Sequence, residues 1–342
     1  MPEKQAIPLT AAVCTWQVTP ARIDAWQTVL VARTRMNILV TGGAGFIGSH
    51  LAEKLLSAGD HVRVVDDLST GKRENLPRHD ALDFIEGDIR DAELMDRCTT
   101  GMHAVVHLAA VASVQASIDD PVRTHQVNYE GTLNLLEASR RHSVKRFIYA
   151  CSAAVYGDAA SIPVSEDAPA NPLSPYAMDK LSGEKYLLDR SRNCDLSTTS
   201  FRFFNIYGPR QDPSSPYSGV ISIFVERLMR SQPVTVYGDG RQTRDFVYVA
   251  DLADLLTRAV HGTEGKGGVF NVGTGKRHSL LDLLDCLEKL SGKRIERLHQ
   301  PARQGDIRHS CADVSRLINI FGSAPSTPFE QGLKKLLESL AV

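Results

Sequence analysis

Residues 36–50 read MNILVTGGAGFIGSH, an apolar run followed by closely spaced glycines and the start of a helical pattern. Gly42, Gly45 and Gly48 recur at three-residue steps, and Gly43, Gly45 and Gly48 also satisfy the spacing G-x-G-x-x-G. Glycines at a strand-to-helix turn allow a tight bend and bring a pyrophosphate close to the free N–H groups of the helix start. The stretch therefore predicts the first unit of a dinucleotide-binding fold.

The next apolar run, HVRVVDD at residues 61–67, ends in Asp66, 18 residues after Gly48. A carboxylate at this position accepts hydrogen bonds from both ribose hydroxyls of a dinucleotide. Asp66, together with Asp67, would repel a 2′-phosphate, so the sequence favours NAD over NADP. Asp67 also suits a solvated turn and is given no role.

From Met36 onward, short apolar runs alternate with helical patterns, which is typical of βαβ units around a parallel sheet. The predicted strands are rich in Val, Ile and Leu, as in a sheet that is buried on both faces. After residues 197–208 the pattern becomes irregular and rich in proline and glycine. We predict an α/β fold with two portions. They are a Rossmann-type doubly wound parallel sheet in residues 36–203, with a returning segment near 246–271, and a smaller C-terminal α/β substrate-binding portion in 204–342.

The composition is that of a globular chain, with 342 residues, 42% hydrophobic and 23% charged. Lys and Arg number 39 against 40 Asp and Glu, which predicts no nucleic-acid or anionic-membrane surface. The six cysteines show no C-x-x-C pair and no metal-ligand spacing with histidines, so we expect reduced thiols and no metal site. No run approaches the ~20 apolar residues of a membrane span. We expect a soluble cytoplasmic protein with a dispensable, disordered extension over residues 1–35.

Tyr176 and Lys180 lie four residues apart in SPYAMDK and share one face of a predicted helix. Tyrosine acts as a base at neutral pH only if its pKa falls by roughly 3 units from 10, or about 4 kcal/mol. A neighbouring ammonium and a cationic nicotinamide would supply this. A Y-x-x-x-K pair also arises by accident on surfaces. Its place 24 residues after Ser152, which ends the apolar run RFIYACS, favours catalysis.

Further motifs are RFFNIYGPRQ at 202–211, GDGRQTRDFVYVADLA at 238–253 and RQGDIRHSCAD at 303–313. With the glycine turn, the strand-end serine and Y-x-x-x-K, they resemble the extended short-chain dehydrogenase/reductase family, and within it the UDP-hexose 4-epimerases. The resemblance runs from residue 36 to about residue 340 and implies an isomerase that holds NAD. In that mechanism Tyr176 removes the proton of the sugar 4-hydroxyl while hydride passes to NAD. The 4-keto sugar then turns and takes the hydride back on its other face.

The resemblance also implies the roles of individual residues. Ser152 would hydrogen-bond the reacting oxygen, and Lys180 would bind the nicotinamide ribose and keep Tyr176 acidic. Asp88 would contact the adenine, although it could instead cap the helix that follows. The implied cofactor-binding residues are Gly42, Gly45, Phe46, Ile47, Gly48, Asp66, Asp88, Ile89, Leu108, Ala109, Ala110, Asn128, Tyr176 and Lys180.

Ala153 and Ala154 directly follow Ser152. The sugar 4,6-dehydratases that share this fold need an acidic pair beside the serine-like hydroxyl, in order to move a proton and expel water. Methyl groups do neither. The two alanines therefore favour oxidation followed by simple return of the hydride, which is epimerisation.

The second portion would bind the UDP-sugar. Guanidinium forks suit a diphosphate, and the family pattern places Asn205 at phosphate or sugar, Tyr237 at uracil and Asp306 at the uridine ribose. Ser310 occupies a position where relatives with a narrow pocket carry tyrosine, so a small residue admits a 2-acetamido group. Ser310 could also be an ordinary loop serine in a shifted alignment. The implied substrate-binding residues are Ser152, Asn205, Tyr237, Arg244, Arg303, Asp306 and Ser310.

The leading hypothesis is an NAD-dependent UDP-N-acetylglucosamine 4-epimerase. The alternatives are a UDP-glucose 4-epimerase and then a UDP-glucuronate 4-epimerase, for which no cation near sugar carbon 6 is assignable. A non-catalytic NAD-binding protein is disfavoured because Ser152, Tyr176 and Lys180 are all present. The resemblance further implies a homodimer formed by the helices near 122–141 and 176–189, although the sequence alone leaves a monomer open.

Overall fold

The computed structural model describes residues 35–213, 219–302 and 307–340, so the predicted extension over 1–35 lies almost wholly outside the described residues. A sheet of seven strands, all paired in parallel, forms the centre. Its strands are β1 (Asn37–Thr41), β2 (His61–Asp66), β3 (Leu82–Glu86), β4 (Ala104–His107), β5 (Arg146–Ser152), β6 (Ser197–Phe203) and, much later in the chain, β11 (Gly268–Val272). They lie in the order β11-β6-β5-β4-β1-β2-β3. The predicted Rossmann-type doubly wound sheet is confirmed.

Both faces of this sheet are buried. Successive side chains of a strand point to opposite faces, and Ile38 and Val40 of β1 pack in one apolar cluster while Leu39 packs in another. The same division separates Val64 from Val65 in β2. Burial on both sides accounts for the nearly continuous apolar character of the strands.

Along the chain, helices alternate with the strands and pack against the sheet. They are α1 (Phe46–Ser57), α2 (Ala92–Thr99), α3 (Val114–Asp119), α4 (Pro121–His125), α5 (Gly131–Arg141) and α6 (Pro175–Asn193). A π-helical turn, Gln126–Glu130, joins α4 to α5 without a break, so the helix predicted over 122–141 holds a turn that the sequence did not predict. The helix predicted from 176 begins one residue earlier, because the Ser174 side chain caps it and Pro175 suits the first helical position.

The C-terminal portion is made of shorter elements. They are β7 (Asn205–Tyr207), α7 (Val220–Met229), β8 (Val234–Tyr237), β9 (Thr243–Arg244), β10 (Phe246–Tyr248), α8 (Val249–His261), β12 (His278–Ser279), α9 (Leu280–Ser291), β13 (Arg297–Gln300), α10 (Ser315–Phe321) and α11 (Phe329–Leu340). The segment 246–271 returns to the large sheet, since α8 packs on α1 and β11 pairs with β6. The division at residue 203 stays a prediction.

Five of the six cysteines lie in the described part of the chain and are free thiols: Cys98, Cys151, Cys194, Cys286 and Cys311. Within the described ranges, no helix is both long and apolar enough to cross a membrane.

A buried ion pair ties α6 to β6. The Arg202 guanidinium donates to both carboxylate oxygens of Glu184, at 2.5 and 3.0 Å, and the two side chains are only 8% and 2% exposed. A further Arg202 nitrogen donates to the Tyr156 hydroxyl at 2.8 Å, and that hydroxyl donates to Asn271 Oδ1 at 2.6 Å. The pair therefore fixes the long helix α6 against the strands beneath it.

Replacing Glu184 by leucine would leave the Arg202 charge buried and unpaired. We expect a loss of about 3–5 kcal/mol in the free energy of unfolding, measured by urea denaturation. Asp254→Leu breaks the exposed Lys54–Asp254 pair and should cost no more than about 1 kcal/mol. Equal losses in the two variants would contradict a special contribution from the buried pair.

Candidate active site

The site residues predicted in the Rossmann half gather at one edge of the sheet. Gly42 follows β1, Asp66 ends β2, Leu108 follows β4 and Ser152 ends β5. Carboxyl ends of parallel strands meet at the same edge, and a ligand binds where the strand order reverses. Here that point is the junction of β1 and β4, which are direct neighbours in the sheet.

The glycine turn has no room for side chains. Gly42 has a φ of +68°, and a Cβ added to it would lie 2.7 Å from the Ala109 nitrogen. A Cβ on Gly48 would overlap the carbonyl oxygen of Gly42. Gly45 is the N-cap of α1 and supplies no side-chain cap, which leaves the first helical N–H groups to an outside acceptor. This bare backbone fits a pyrophosphate. Phe46 and Ile47 form the first residues of α1.

Asp66 is buried beside the glycine turn. Its Oδ2 accepts from Ala44 N and its Oδ1 from Leu68 N, both at 2.9 Å. Burial raises the pKa of Asp66, and these backbone hydrogen bonds oppose the rise. Each carboxylate oxygen still has a lone pair for a ribose hydroxyl. The Asp67 carboxylate closes a turn onto Ser69, which accords with giving it no role.

Asp88 does not cap the helix that follows it. Its carboxylate accepts from Arg90 N at 2.8 Å and from Arg90 Nε at 2.9 Å, and the hydrogen bond from the Arg90 side chain lowers the pKa of Asp88. The cap of α2 is Asp91, which accepts from Leu94 N at 2.9 Å. The capping interpretation of Asp88 is therefore wrong, because α2 begins too far along the chain for Asp88 to reach it. The neighbouring Ile89 is buried.

Asn128 holds the loop that follows β4. It lies in the π-helical turn and is 1% exposed. Its Oδ1 accepts from Val111 N at 2.8 Å, and its Nδ2 donates to Val111 O at 3.1 Å. The loop residues Leu108, Ala109 and Ala110 are half-buried. The Asn128 side chain thus binds the neighbouring loop and uses both its oxygen and its nitrogen to do so.

Ser152, Tyr176 and Lys180 are brought together. Ser152 Oγ accepts from Ala154 N at 3.2 Å and hydrogen-bonds to Tyr176. Burial raises the pKa of Tyr176 to about 12, and the bond to Ser152 opposes this rise. Lys180 Nζ donates to Ala150 O at 2.9 Å, and burial lowers the pKa of Lys180 to about 8. In the chain by itself burial dominates the pKa of Tyr176, and the role of Lys180 in keeping Tyr176 acidic stays a prediction.

The predicted sugar-side residues Ser310 and Arg244 meet at one carbonyl. Ser310 N donates to Thr243 O at 3.0 Å, and Arg244 Nη1 donates to the same oxygen at 2.9 Å. Asn205 begins β7 and donates its backbone N–H to the carbonyl oxygen of Asp245, the residue after Arg244, at 3.1 Å. Tyr237 lies at the end of β8, opposite Gln300 in β13. Arg303 and Asp306 lie outside the described residues.

The backbone on the C-terminal side of Ser310 is anchored residue by residue. Val164 N donates to Cys311 O at 2.8 Å, and Asp313 N donates to Val164 O at 2.9 Å. Between them, Ala312 N donates to Asp245 Oδ2 at 3.1 Å. Asp245 is fully buried and also accepts from Thr274 and Gly275, so it holds these backbone segments together. A segment held in this way cannot easily move aside for a larger side chain at 310.

Three buried polar residues that the sequence patterns did not indicate lie behind the carboxyl edge of the sheet: Thr41, His107 and Thr132. The His107 ring lies between the two threonine hydroxyls, 2.7 Å from Thr41 Oγ1 and 2.9 Å from Thr132 Oγ1. A histidine inside the apolar run AVVHLAA was a usable signal, because an imidazole in a strand buried on both faces needs partners.

Known structures share this architecture. The UDP-glucose 4-epimerase of Thermotoga maritima with UDP-glucose is 41% identical, with a TM-score of 0.86 over 90% of this chain and 99% of that chain. The UDP-N-acetylglucosamine 4-epimerase of Methanobrevibacter ruminantium, in complex with UDP-N-acetylmuramic acid, is 35% identical. Its TM-score is 0.86, over 90% of this chain and 98% of that chain. The Thermus thermophilus UDP-glucose 4-epimerase complex with NAD is 38% identical, with a TM-score of 0.82 over 90% and 99%.

A family model extends these pairwise similarities. The model of the NAD dependent epimerase/dehydratase family matches residues 38–273, which include the glycine turn, Ser152, Tyr176, Lys180 and β11. The resemblance read from the motifs is thereby confirmed, and with it the expectation of NAD as cofactor. The chain belongs to the NAD dependent epimerase/dehydratase family.

Proposed function

We propose that this enzyme is a UDP-N-acetylglucosamine 4-epimerase, which interconverts UDP-GlcNAc and UDP-GalNAc through a 4-keto intermediate. The broader activity, that of an NAD-dependent UDP-sugar 4-epimerase and hence an isomerase, follows from the family and from the 4-epimerases to which the chain is similar. The observation that carries the narrower proposal is Ser310, a small residue on an anchored segment next to Arg244.

Volume decides which sugar the site accepts. Protein interiors are close-packed, so a phenol at position 310 and a 2-acetamido group would compete for one space. Serine leaves that space open, and the anchored backbone keeps it in place. An open space also admits UDP-glucose and UDP-galactose. UDP-glucose 4-epimerase is therefore the second candidate, supported by the Thermotoga maritima relative with UDP-glucose.

The chain fits NAD through backbone more than through charge. The glycine turn would hold the pyrophosphate, Asp66 the adenosine ribose, Asp88 and Ile89 the adenine, and the Leu108–Ala110 loop with Lys180 the nicotinamide half. Bound NAD supplies a hydride acceptor that returns the hydride within the turnover. The chain's own task is to hold the sugar 4-oxygen and to move its proton.

Proton movement falls to Tyr176 and Ser152. Ser152 Oγ accepts from Ala154 N, and its rotatable hydroxyl, which hydrogen-bonds to Tyr176, is available to donate to a sugar oxygen in the site. A Tyr176 pKa of about 12 keeps the phenol protonated at neutral pH. A base at this position therefore requires positive charge close to the phenol when substrate and cofactor are in place. Lys180 is positioned by Ala150 O to contribute that charge.

A homodimer is the proposed assembly. Exposed apolar side chains cluster on three helices that pack together, α3, α4 and α6. They include Val114 at 45%, Ile118 at 55%, Val122 at 67% and Met178 at 54% exposed. Such a patch on one face is typical of a protein interface. Two of these helices, α4 and α6, overlap the segments near 122–141 and 176–189 that the resemblance assigns to the dimer.

Substrate choice is tested by assaying the purified enzyme and Ser310→Tyr with UDP-GlcNAc and with UDP-glucose. We expect the wild type to form UDP-GalNAc without added NAD. Anion-exchange chromatography detects this product. Ser310→Tyr should lose at least roughly a hundredfold in kcat/KM for the acetylated sugar because the pocket is filled, and should keep the plain-hexose activity. Tyr176→Phe is the inactive control with unchanged NAD content. No conversion of any UDP-hexose by the wild type would reject the proposal.

Burial of Lys180 predicts a pH-dependent stability. With a pKa of about 8 in the folded chain against 10.5 ordinarily, the unfolded chain binds more protons between these values, so stability rises with pH there. Wild type should gain about 2 kcal/mol over Lys180→Met between about pH 7 and pH 9.5. The measurement is urea unfolding after removal of bound nucleotide. Parallel curves for the two proteins would contradict the shifted pKa.

The dimer is tested by placing charge in the apolar patch. Val122→Asp combined with Met178→Asp should convert a dimer into a monomer in light scattering, because two carboxylates would be buried at the interface. Ile318→Asp combined with Ile320→Asp is the matched control, since these exposed residues lie on α10. A monomeric wild type, or loss of the dimer in both double variants, would count against this interface.

A further inference from the structure

A continuous run of buried hydrogen bonds lies directly behind the glycine turn. Ala109 N donates to Thr41 Oγ1 at 3.4 Å, and Thr41 Oγ1 lies 2.7 Å from His107 Nδ1. On the other side of the ring, His107 Nε2 lies 2.9 Å from Thr132 Oγ1, which donates to Asn128 O at 2.6 Å. Thr41, His107 and Thr132 are at most 1% exposed. The run links β1, β4 and the helix that carries the π-turn.

The end of this run fixes the direction of every proton in it. A carbonyl oxygen only accepts, so the Thr132 hydroxyl gives its hydrogen to Asn128 O and accepts from His107 Nε2–H. His107 Nδ1 then accepts the Thr41 hydroxyl hydrogen, and Thr41 Oγ1 is left to accept from Ala109 N. This arrangement is the one in which a neutral imidazole carries its hydrogen on Nε2. Burial, assisted by the charge of Lys180, lowers the pKa of His107 to about 3 and keeps it neutral.

The run holds the loop after β4 from beneath, and Asn128 holds it from the side. Ala109 is tied to Thr41, and Val111 is tied through both backbone groups to the Asn128 side chain. The same loop lies against the glycine turn, where a Cβ on Gly42 would come within 2.7 Å of Ala109 N. A shift of the loop would change the space above the turn.

His107 also borders the catalytic lysine. Its ring centroid lies 5.8 Å from that of Tyr149, and Lys180 Nζ lies 5.1 Å from the Tyr149 centroid. The imidazole and the lysine thus pack against the same tyrosine ring, and the imidazole also lies under the loop. It faces neither solvent nor the sugar side, and both of its ring nitrogens are engaged inside the chain.

We propose that His107 is a positioning residue for the cofactor: as a neutral link between Thr41 and Thr132, it sets the place of the Leu108–Val111 loop and hence of the nicotinamide half of NAD. This inference rests on the proposed contact of Leu108–Ala110 with NAD. An apolar residue of similar size at position 107 would fill the strand position but would leave the buried hydroxyls of Thr41 and Thr132 without their partner. The loop would then lose part of its support and shift.

Thr132→Val tests the link without touching the loop or the ring. It keeps the side-chain shape and removes the acceptor of His107 Nε2–H. Thr124→Val is the matched control, because the Thr124 hydroxyl is equally buried and donates to Asp120 O at 2.9 Å, four residues back on the same continuous helix. We expect Thr132→Val to raise the Kd for NAD roughly tenfold, with the KM for the UDP-sugar unchanged. Thr124→Val should leave the Kd unchanged at a comparable loss of thermal stability.

A second pair of variants addresses the ring itself. His107→Gln keeps one acceptor and one donor and should recover much of the NAD affinity that His107→Phe loses. Nitrogen-15 spectra of the wild type should show His107 neutral with hydrogen on Nε2 between about pH 5 and pH 8. A protonated ring, the other tautomer, or equal NAD affinities in Thr132→Val and Thr124→Val would overturn the inference and leave the proposed function standing. A wild type that binds no NAD would overturn the cofactor site as well.

Discussion

The contact between two pieces of bare backbone, the turn after β1 and the loop after β4, is the constraint on which the site depends. Gly42 adopts a left-handed conformation and has no room for a Cβ below Ala109. The two segments come this close only because β1 and β4 are neighbouring parallel strands, so that both segments leave the sheet at the same edge. The residues predicted to bind the nucleotide are then arranged around a surface of N–H groups, with Asp66 as a buried carboxylate beside it.

A second layer keeps this surface in place. The hydrogen-bonded run through His107 lies under the loop, and the Glu184–Arg202 pair fixes the helix that carries Tyr176 and Lys180. On the sugar side, Val164 and Asp245 hold the segment after Ser310. Each of these supports is polar, buried and paired, so each adds directionality that apolar packing would not supply. The groups that face the ligands can therefore be few and small.

Sequence patterns were sufficient for the sheet and for placing Tyr176 and Lys180 on one helix, whereas their catalytic roles stay predictions. Alternating apolar runs and helical patterns define βαβ units because burial on both faces leaves little choice of residue, and Y-x-x-x-K fixes one helical face by spacing alone. The patterns were insufficient wherever the partner of a polar group lies far along the chain. Asp88 was open to two interpretations until Asp91 was seen to cap α2, and the partners of His107 lie 66 residues before it and 25 after it. The raised pKa of Tyr176 likewise depends on burial, which no local motif records.

Lys180 Nζ donates a hydrogen bond to the carbonyl oxygen of Ala150. This oxygen carries no hydrogen that it could pass onward. This bond of Lys180 is thus a closed end for protons. Such a dead end suits an isomerase, whose substrate and product contain the same atoms. A hydrogen ion taken from the sugar hydroxyl would find no onward acceptor through this bond, which favours its return to the same oxygen.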